Sequence, residues 1–472
     1  MDDARHSVSV SPVAAAFLGG YGAFIALAPS LEWRLALSIP PLALAALWWI
    51  IQTPARWLTL FFFSAILLPP VDLPFGNSGP HPAIAIAALG VFVGLLRVKE
   101  WRAQWDGLSF SLLLFFGVLL STVPFAVLYS GTEVAMGSLA RVTLFGVSLY
   151  VYFFTAHGPL RLSHPQVWTM LRWLLWAAGA SAAFGCLDFY YQFPAPAGFG
   201  PQFIWLDSGV YRRAQGFFYE ASTLGNFCSF FLVMILAALF RRREMRPGTA
   251  TQLLICGTLL STALVLSYSR GSLINLAVAL LALLFLNRRK LNIRALVRGS
   301  AALAVTGCAA LYLLFPAFAQ SYWTRLSASL QYFSVSPNGV LSGRVQSWEH
   351  LLQFFLDKPW ITLFGIGYKT LPYSDYLGSN VVADNMYFSL LFETGIIGLA
   401  TFAFLNVRIL RTSLAAALSS SSEASFLGTW FFCFWIGELV QMLSGDLLTY
   451  WRVIPVYFFV LALARRETPV AQ

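Results

Sequence analysis

Charge is scarce in this sequence. Asp, Glu, Lys and Arg make up 11% of its 472 residues, where a soluble globular chain carries about 25%, and that deficit excludes a soluble enzyme. Cysteine is rare as well. Cys186, Cys228, Cys256, Cys308 and Cys433 are odd in number, lie inside apolar stretches and show no paired spacing, so neither a disulfide framework nor a zinc site is implied. The five histidines, His6, His81, His157, His164 and His350, are scattered, which leaves no metal-ligand cluster. No internal repeat, low-complexity tract or soluble-domain boundary interrupts the chain.

What is abundant is apolar length. Hydrophobic residues make up 58% and the mean hydropathy is +0.71. About fourteen apolar stretches of spanning length can be drawn between residues 12 and 464. They include 108–128, 136–156, 217–240, 250–268, 271–287 and 299–317. The expected fold is all-α, a polytopic membrane bundle of about 12 to 14 transmembrane helices. The first stretch follows Met1-Asp2-Asp3-Ala4-Arg5-His6 and is long enough to be a retained helix rather than a cleaved signal.

The net charge of +10 is better explained by the positive-inside rule than by nucleic acid. With both termini cytoplasmic, the clusters Arg241-Arg242-Arg243, Arg288-Arg289-Lys290 and Arg465-Arg466 all fall inside. The cations left on or near the outer face are Arg34, Arg141, Arg212, Arg213, Arg270, Arg325, Arg344, Lys358, Lys369 and Arg452. These need another explanation.

One membrane domain, 1–472, with two outer excursions is expected. Excursion 188–216 is rich in Pro and Gly, which is loop chemistry. Excursion 319–383, roughly 65 residues long, exceeds ordinary loops and suggests a cap or binding element. Within it, Val345, Trp348, Leu351, Leu352, Phe355 and Leu356 recur near a helical period. This predicts an amphipathic helix over 342–357 along the outer membrane surface, with Arg344 at its start and Lys358-Pro359 at its end.

Arg270 is the most telling cation. It sits in Ser267-Tyr268-Ser269-Arg270-Gly271-Ser272, inside an apolar run from Leu253 to Leu286 that is too long for one span. The run therefore reads as two helices meeting at a polar elbow, and a charge there is expensive without a task. Arg213 and Arg344 join it on the same face, and together the arginine forks suit the oxygens of an anionic phosphate ligand. As single residues, Arg213 and Arg344 also fit interfacial anchors.

Two carboxylates are candidate general bases. Glu220 lies one turn into its predicted span, and Asp384 stands before Asn385-Met386-Tyr387; a desolvated carboxyl at a span entrance has its pKa raised. Asp384 equally fits an N-cap. Glu393 is expected to pair with a buried partner or backbone, Gly395 and Gly398 to serve close helix packing, and Gly365 and Gly367 to form a turn.

The ordered series resembles the O-antigen ligase and Wzy-type polymerase superfamily, membrane glycosyltransferases of polysaccharide assembly. It runs from Arg213 through Ser269-Arg270-Gly271, Ser342-Gly343-Arg344 with Trp348, and Gly365-Ile366-Gly367 to the Asn385–Gly398 segment. The resemblance covers 213–399. It implies metal-independent, inverting transfer of glycan from a polyprenyl pyrophosphate at the periplasmic face of the inner membrane, with no cofactor. Asp384 or Glu220 would be catalytic; Arg213, Arg270, Arg344, Asn385 and Tyr387 would bind pyrophosphate or glycan. The implied partners are a lipid-linked donor, a glycan acceptor, membrane lipids and a chain-length regulator of the same pathway, and not nucleic acid.

Ligases of this superfamily usually carry His-Asn where this chain has Asp384-Asn385. Asp is closer to the polymerase branch, so a polymerase is the first reading and a ligase acting on lipid A-core or another acceptor the second. A transporter or lipid flippase would put ionisable groups near the midplane and pair interrupted spans in two related halves. Here the unusual charges cluster outside, which makes that the third reading.

Overall fold

The computed structural model describes residues 12–71, 80–102, 105–196, 199–206, 209–241, 246–288, 344–374, 376 and 381–466, with scattered positions between 312 and 327. Most of the expected span 299–317, together with Arg325, Ser342 and Gly343, lies outside the described residues.

The chain forms two compact units, Met1–Trp57 and Leu58–Gln472. The small unit holds α1 (Pro12–Ala26) and α2 (Leu31–Gln52). Ser30 starts α2 by accepting the Trp33 N–H at 3.4 Å, one of the orphan donors every helix start exposes. Arg34 donates to the Ala28 carbonyl at 3.0 Å.

The main unit takes all but the first turn of α3 (Pro54–Leu67), then α4 (Pro82–Leu96), α5 (Gly107–Ser121), α6 (Val123–Ala156) and α7 (His164–Tyr191). A hairpin of β1 (Phe203–Leu206) and β2 (Gly209–Arg212) follows. Next come α8 (Ala221–Leu239), α9 (Ala250–Leu266), α10 (Arg270–Asn287), α11 (Arg344–Asp357), α12 (Ile361–Phe364), α13 (Met386–Ala417), α14 (Ser422–Gln441) and α15 (Ile454–Arg466). Among the described residues, α6, α7, α8, α10 and α13 are long and apolar enough to cross a membrane, and α3, α4, α5 and α9 are shorter apolar helices. The architecture is helical as expected, with the hairpin in the first excursion its one departure among the described residues.

Boundaries inside apolar runs differ from expectation. Residues 108–128 divide between two helices: α5 stops at Ser121, and α6 runs from Val123 to Ala156 with a break at Gly131, φ 82°, so that 136–156 falls in the part of α6 beyond the break. Pro124 at the start of α6 sets the new helix, a signal that hydropathy alone does not weigh.

α15 is the centre of the bundle. Every residue from Ile454 to Ala464 is buried, as expected of a helix that is apolar on all sides, and it packs on α6 and α14. α14 approaches α13 at Gly428 and α10 at Gly437, where a Cβ would collide with Ala416–Ala417 and with Asn275 respectively. Polar side chains tie α8, α10 and α14 together. The amides of Asn226 and Asn275 both donate to the Glu438 carboxyl, and to the Gln441 side-chain oxygen at 3.1 and 3.0 Å. In an apolar interior such bonds have no water to compete with.

The two ends of the bundle differ. One end is closed by Asp106 with Arg465, His164 with Glu423, and Arg241 on Ser425. The other gathers the elbow before α10, the segment before α8, the turns after α12 and the connection from α14 to α15. Arg141, Arg212, Arg213, Arg270, Lys369 and Arg452, cations left unexplained by the positive-inside pattern, belong to this second end.

Candidate functional site

The elbow is built from serines. Tyr268 adopts a left-handed φ of 51°, and Ser269 caps α10 by accepting the Ser272 N–H at 3.4 Å. Arg270 therefore occupies the first helical position. Gly225 of α8 lets the elbow come close, since a Cβ there would lie 2.8 Å from Ser272 Oγ and 2.9 Å from Ser267 Oγ. The preceding excursion docks on the same place: Ala214 N–H donates to Leu266 O and Arg213 Nε to Ser267 O, at 2.9 and 2.8 Å. Burial pushes the Arg213 pKa down; Tyr450, Glu220 and Tyr322 draw it back up, and neighbouring Arg270 lowers it further. Two arginines thus share one corner beside Glu220.

A glycine crossing shapes the opposite wall. α13 is broken at Gly395, φ 69° and ψ −173°, and Gly365 beside it has φ 72°. A Cβ on Gly365 would strike the Glu393 carbonyl, and one on Gly395 the Leu363 carbonyl. The freed backbone groups pair across the gap, Ile366 N–H to Phe392 O at 3.1 Å and Gly367 N–H to Glu393 O at 2.9 Å. Gly365, at the turn that ends α12, and Gly395, where α13 packs closely on α12, are thus the two halves of one backbone contact, so the turn and the close packing expected from the sequence are a single feature. The crossing fixes Lys369, Leu371 and Glu393. The Glu393 carboxyl accepts the Leu371 N–H at 3.3 Å, the backbone pairing expected of it.

These walls enclose a cavity of ≈ 270 Å³. Glu220, Asp384, Glu393 and Asp446 line it, with Arg141 and Lys369. Lys369 forms an ion pair with Asp446, and Arg141 donates to the Lys369 carbonyl at 2.9 Å while its guanidinium lies 4.7 Å over the Tyr373 ring. The Lys369–Asp446 pair is largely buried, so removing one member strands the other. Lys369→Met is expected to destabilise the protein by about 3 kcal/mol, read as a fall in thermal unfolding temperature in detergent. Lys369→Met with Asp446→Leu should recover most of the loss.

Residues 254–403 match a family model described as O-Antigen ligase, Wzy_C. Over that stretch the chain is similar to the O-antigen ligase family. No curated protein sequence matches it. The matched segment supplies the elbow, α11, the glycine crossing and Asp384, while Arg141, Arg213, Glu220, Asp446 and Tyr450 come from outside its bounds.

The geometry sorts the residues singled out in the sequence. Glu220 and Asp384 face the cavity. Glu220 is not inside a span but at the N-terminal boundary of α8, where its carboxylate accepts the Thr223 hydroxyl at 2.6 Å and burial raises its pKa. Asp384, φ 47°, is not the cap of α13: Asn385 is, accepting the Tyr387 and Phe388 N–H groups at 3.0 and 3.2 Å. Tyr387 turns away to donate to Leu439 O at 2.8 Å. Arg344 opens α11, and its side chain lies outside the described residues.

α11 divides its apolar face. Leu351 and Phe354 join Ile361, Ile366 and Leu371 in a core, and the Trp348 indole donates to Ala383 O at 2.8 Å, next to Asp384. Leu352 and Leu356 remain exposed. Asp446 and Tyr450 are site residues that the sequence did not flag. They lie in a short connection between two apolar stretches, and only contact with Lys369 and Glu220 gives them meaning.

Proposed function

We propose that this chain is a polysaccharide polymerase of the bacterial inner membrane. It transfers glycan from a polyprenyl-pyrophosphate donor to a lipid-linked repeat unit, with inversion, at the end of the bundle that holds the cavity and faces the periplasm. The observation that carries this reading is the cavity itself, where the carboxyls of Glu220 and Asp384, either of which could serve as the base, stand next to Arg141 and Lys369, with Arg213 and Arg270 at the adjoining corner. Arginine suits a departing pyrophosphate, whose charge grows as the glycosidic bond breaks. The expected protein partner is a chain-length regulator of the same pathway.

Asp384, where ligases usually carry histidine, favours the polymerase. The family description favours a second reading, a ligase that moves finished glycan to lipid A-core or another acceptor. Deleting the gene in its host and sizing the glycans separates them. A polymerase leaves single repeat units on the polyprenyl carrier, whereas a ligase leaves long chains stranded there. Unchanged polymer would rule out both.

A further inference from the structure

A second cavity, of ≈ 310 Å³, adjoins the first and shares Glu220, Thr449 and Tyr450 with it. Its wall is of a different kind. Phe199, Phe218 and Trp451 present rings, Thr223 and Thr449 hydroxyls, and Ile84 and Leu144 apolar surface. Its two basic residues are already committed. Arg452 spends its fork on the carbonyls of Ala65, Leu68 and Phe217, the first and second at 2.8 Å, with Phe218 5.0 Å beneath it. His81 accepts the Ala83 N–H at Nδ1, so Nε2 carries the proton and donates to Leu68 O at 3.0 Å. Burial, followed by the charge of Arg452, lowers the His81 pKa to about 3 and keeps the ring neutral.

Such a wall suits a neutral polyhydroxylated ligand, whose ring faces lie on aromatics and whose hydroxyls meet oxygen acceptors. It is a poor host for pyrophosphate. Its volume lies at the small end of ligand pockets, roughly 300–1,000 Å³, which limits it to the terminal sugar of a chain.

We infer that this second cavity is the subsite for the acceptor sugar and that Glu220, the carboxylate lining both cavities, is the general base of the transfer. The inference rests on the glycosyltransferase reading above. As the acceptor oxygen bonds to the donor's anomeric carbon, its proton passes to the Glu220 carboxylate. The bond from that carbon to the pyrophosphate oxygen breaks, and polyprenyl pyrophosphate leaves with the electron pair. Asp384 lines only the donor cavity.

The test uses the purified full chain in detergent, the host's lipid-linked repeat unit as donor, and a labelled repeat-unit oligosaccharide without lipid as acceptor. Ile84→Trp, which fills the cavity, and Phe199→Ala, which removes a ring, should each raise the acceptor KM about tenfold, equivalent to roughly 1.4 kcal/mol, with the donor KM nearly unchanged. Phe199→Tyr should restore acceptor affinity. Because burial raises the Glu220 pKa, the acid limb of kcat/KM should lie above the ordinary carboxylate range, activity falling as pH drops through it. Glu220→Gln should remove that limb and cost roughly 10²- to 10⁴-fold in kcat while still binding donor.

A photoreactive benzoylphenylalanine in place of Phe199 reports occupancy without turnover, and it should capture the labelled oligosaccharide. Failure of that capture, an acceptor KM unmoved in both cavity variants, or an acid limb removed by Asp384→Asn instead of Glu220→Gln would each overturn the inference while leaving the glycosyltransferase reading intact. A wild-type protein with no transfer at all would sink the reading on which it rests.

Discussion

Arg270→Lys is expected to lower glycan transfer by roughly 10²-fold, the loss typical of removing one preorganised donor to developing charge. Lysine keeps the charge but not the planar fork that grips two phosphate oxygens at once. The substitution leaves the serine cap of α10 in place, so the folded protein should elute and melt like the wild type. Arg213→Lys should fail to a similar degree, because its Nε bond to Ser267 O is what aims the guanidinium at this corner. Initial rates with a lipid-linked donor decide the matter. A normal rate for Arg270→Lys would reduce that residue to an interfacial anchor.

The second large effect is on folding. At φ 69° and ψ −173°, Gly395 occupies a backbone region closed to residues with a Cβ, and that Cβ would also meet the Leu363 carbonyl. Gly395→Ala and Gly365→Ala should each cost about 4 kcal/mol, of which roughly 1–3 is backbone strain and the rest the separation of the two strands of chain. Size-exclusion profiles in detergent should show loss of the folded peak. Gly117→Ala and Gly137→Ala are the controls, since a Cβ at either position meets nothing within 4 Å. A normal profile for Gly395→Ala would mean that the crossing tolerates a wider gap.

These two cases also mark what could be read from the chain alone. Arg270 was legible because a cation inside an apolar run is costly enough to demand a reason, and the elbow follows from run length. The helix of the long excursion was legible from its period, expected over 342–357 and found over Arg344–Asp357. Gly395 was legible as a close-packing position, but its break in α13 was not, because the break pairs with Gly365, a neighbour only in space. The same holds for Asp446, whose partner Lys369 is distant in sequence. Arg141 and Lys369 stood out as cations without an explanation, and the fold supplies one at the cavity. Arg452 also stood out, and its carbonyl partners show it to be a clamp on the end of α3.

The bounds of the matched segment divide the lining of the cavity. One wall of the cavity, with Lys369, Asp384 and Glu393, lies within 254–403, and the facing wall, with Arg141, Glu220, Asp446 and Tyr450, lies outside it. A chimera that exchanges the segment alone joins walls from two parents. If the cavity holds the glycan as proposed, fitting a new one requires paired change on both sides, and recombination at the segment's borders would more often yield a folded, silent protein than one with a new product.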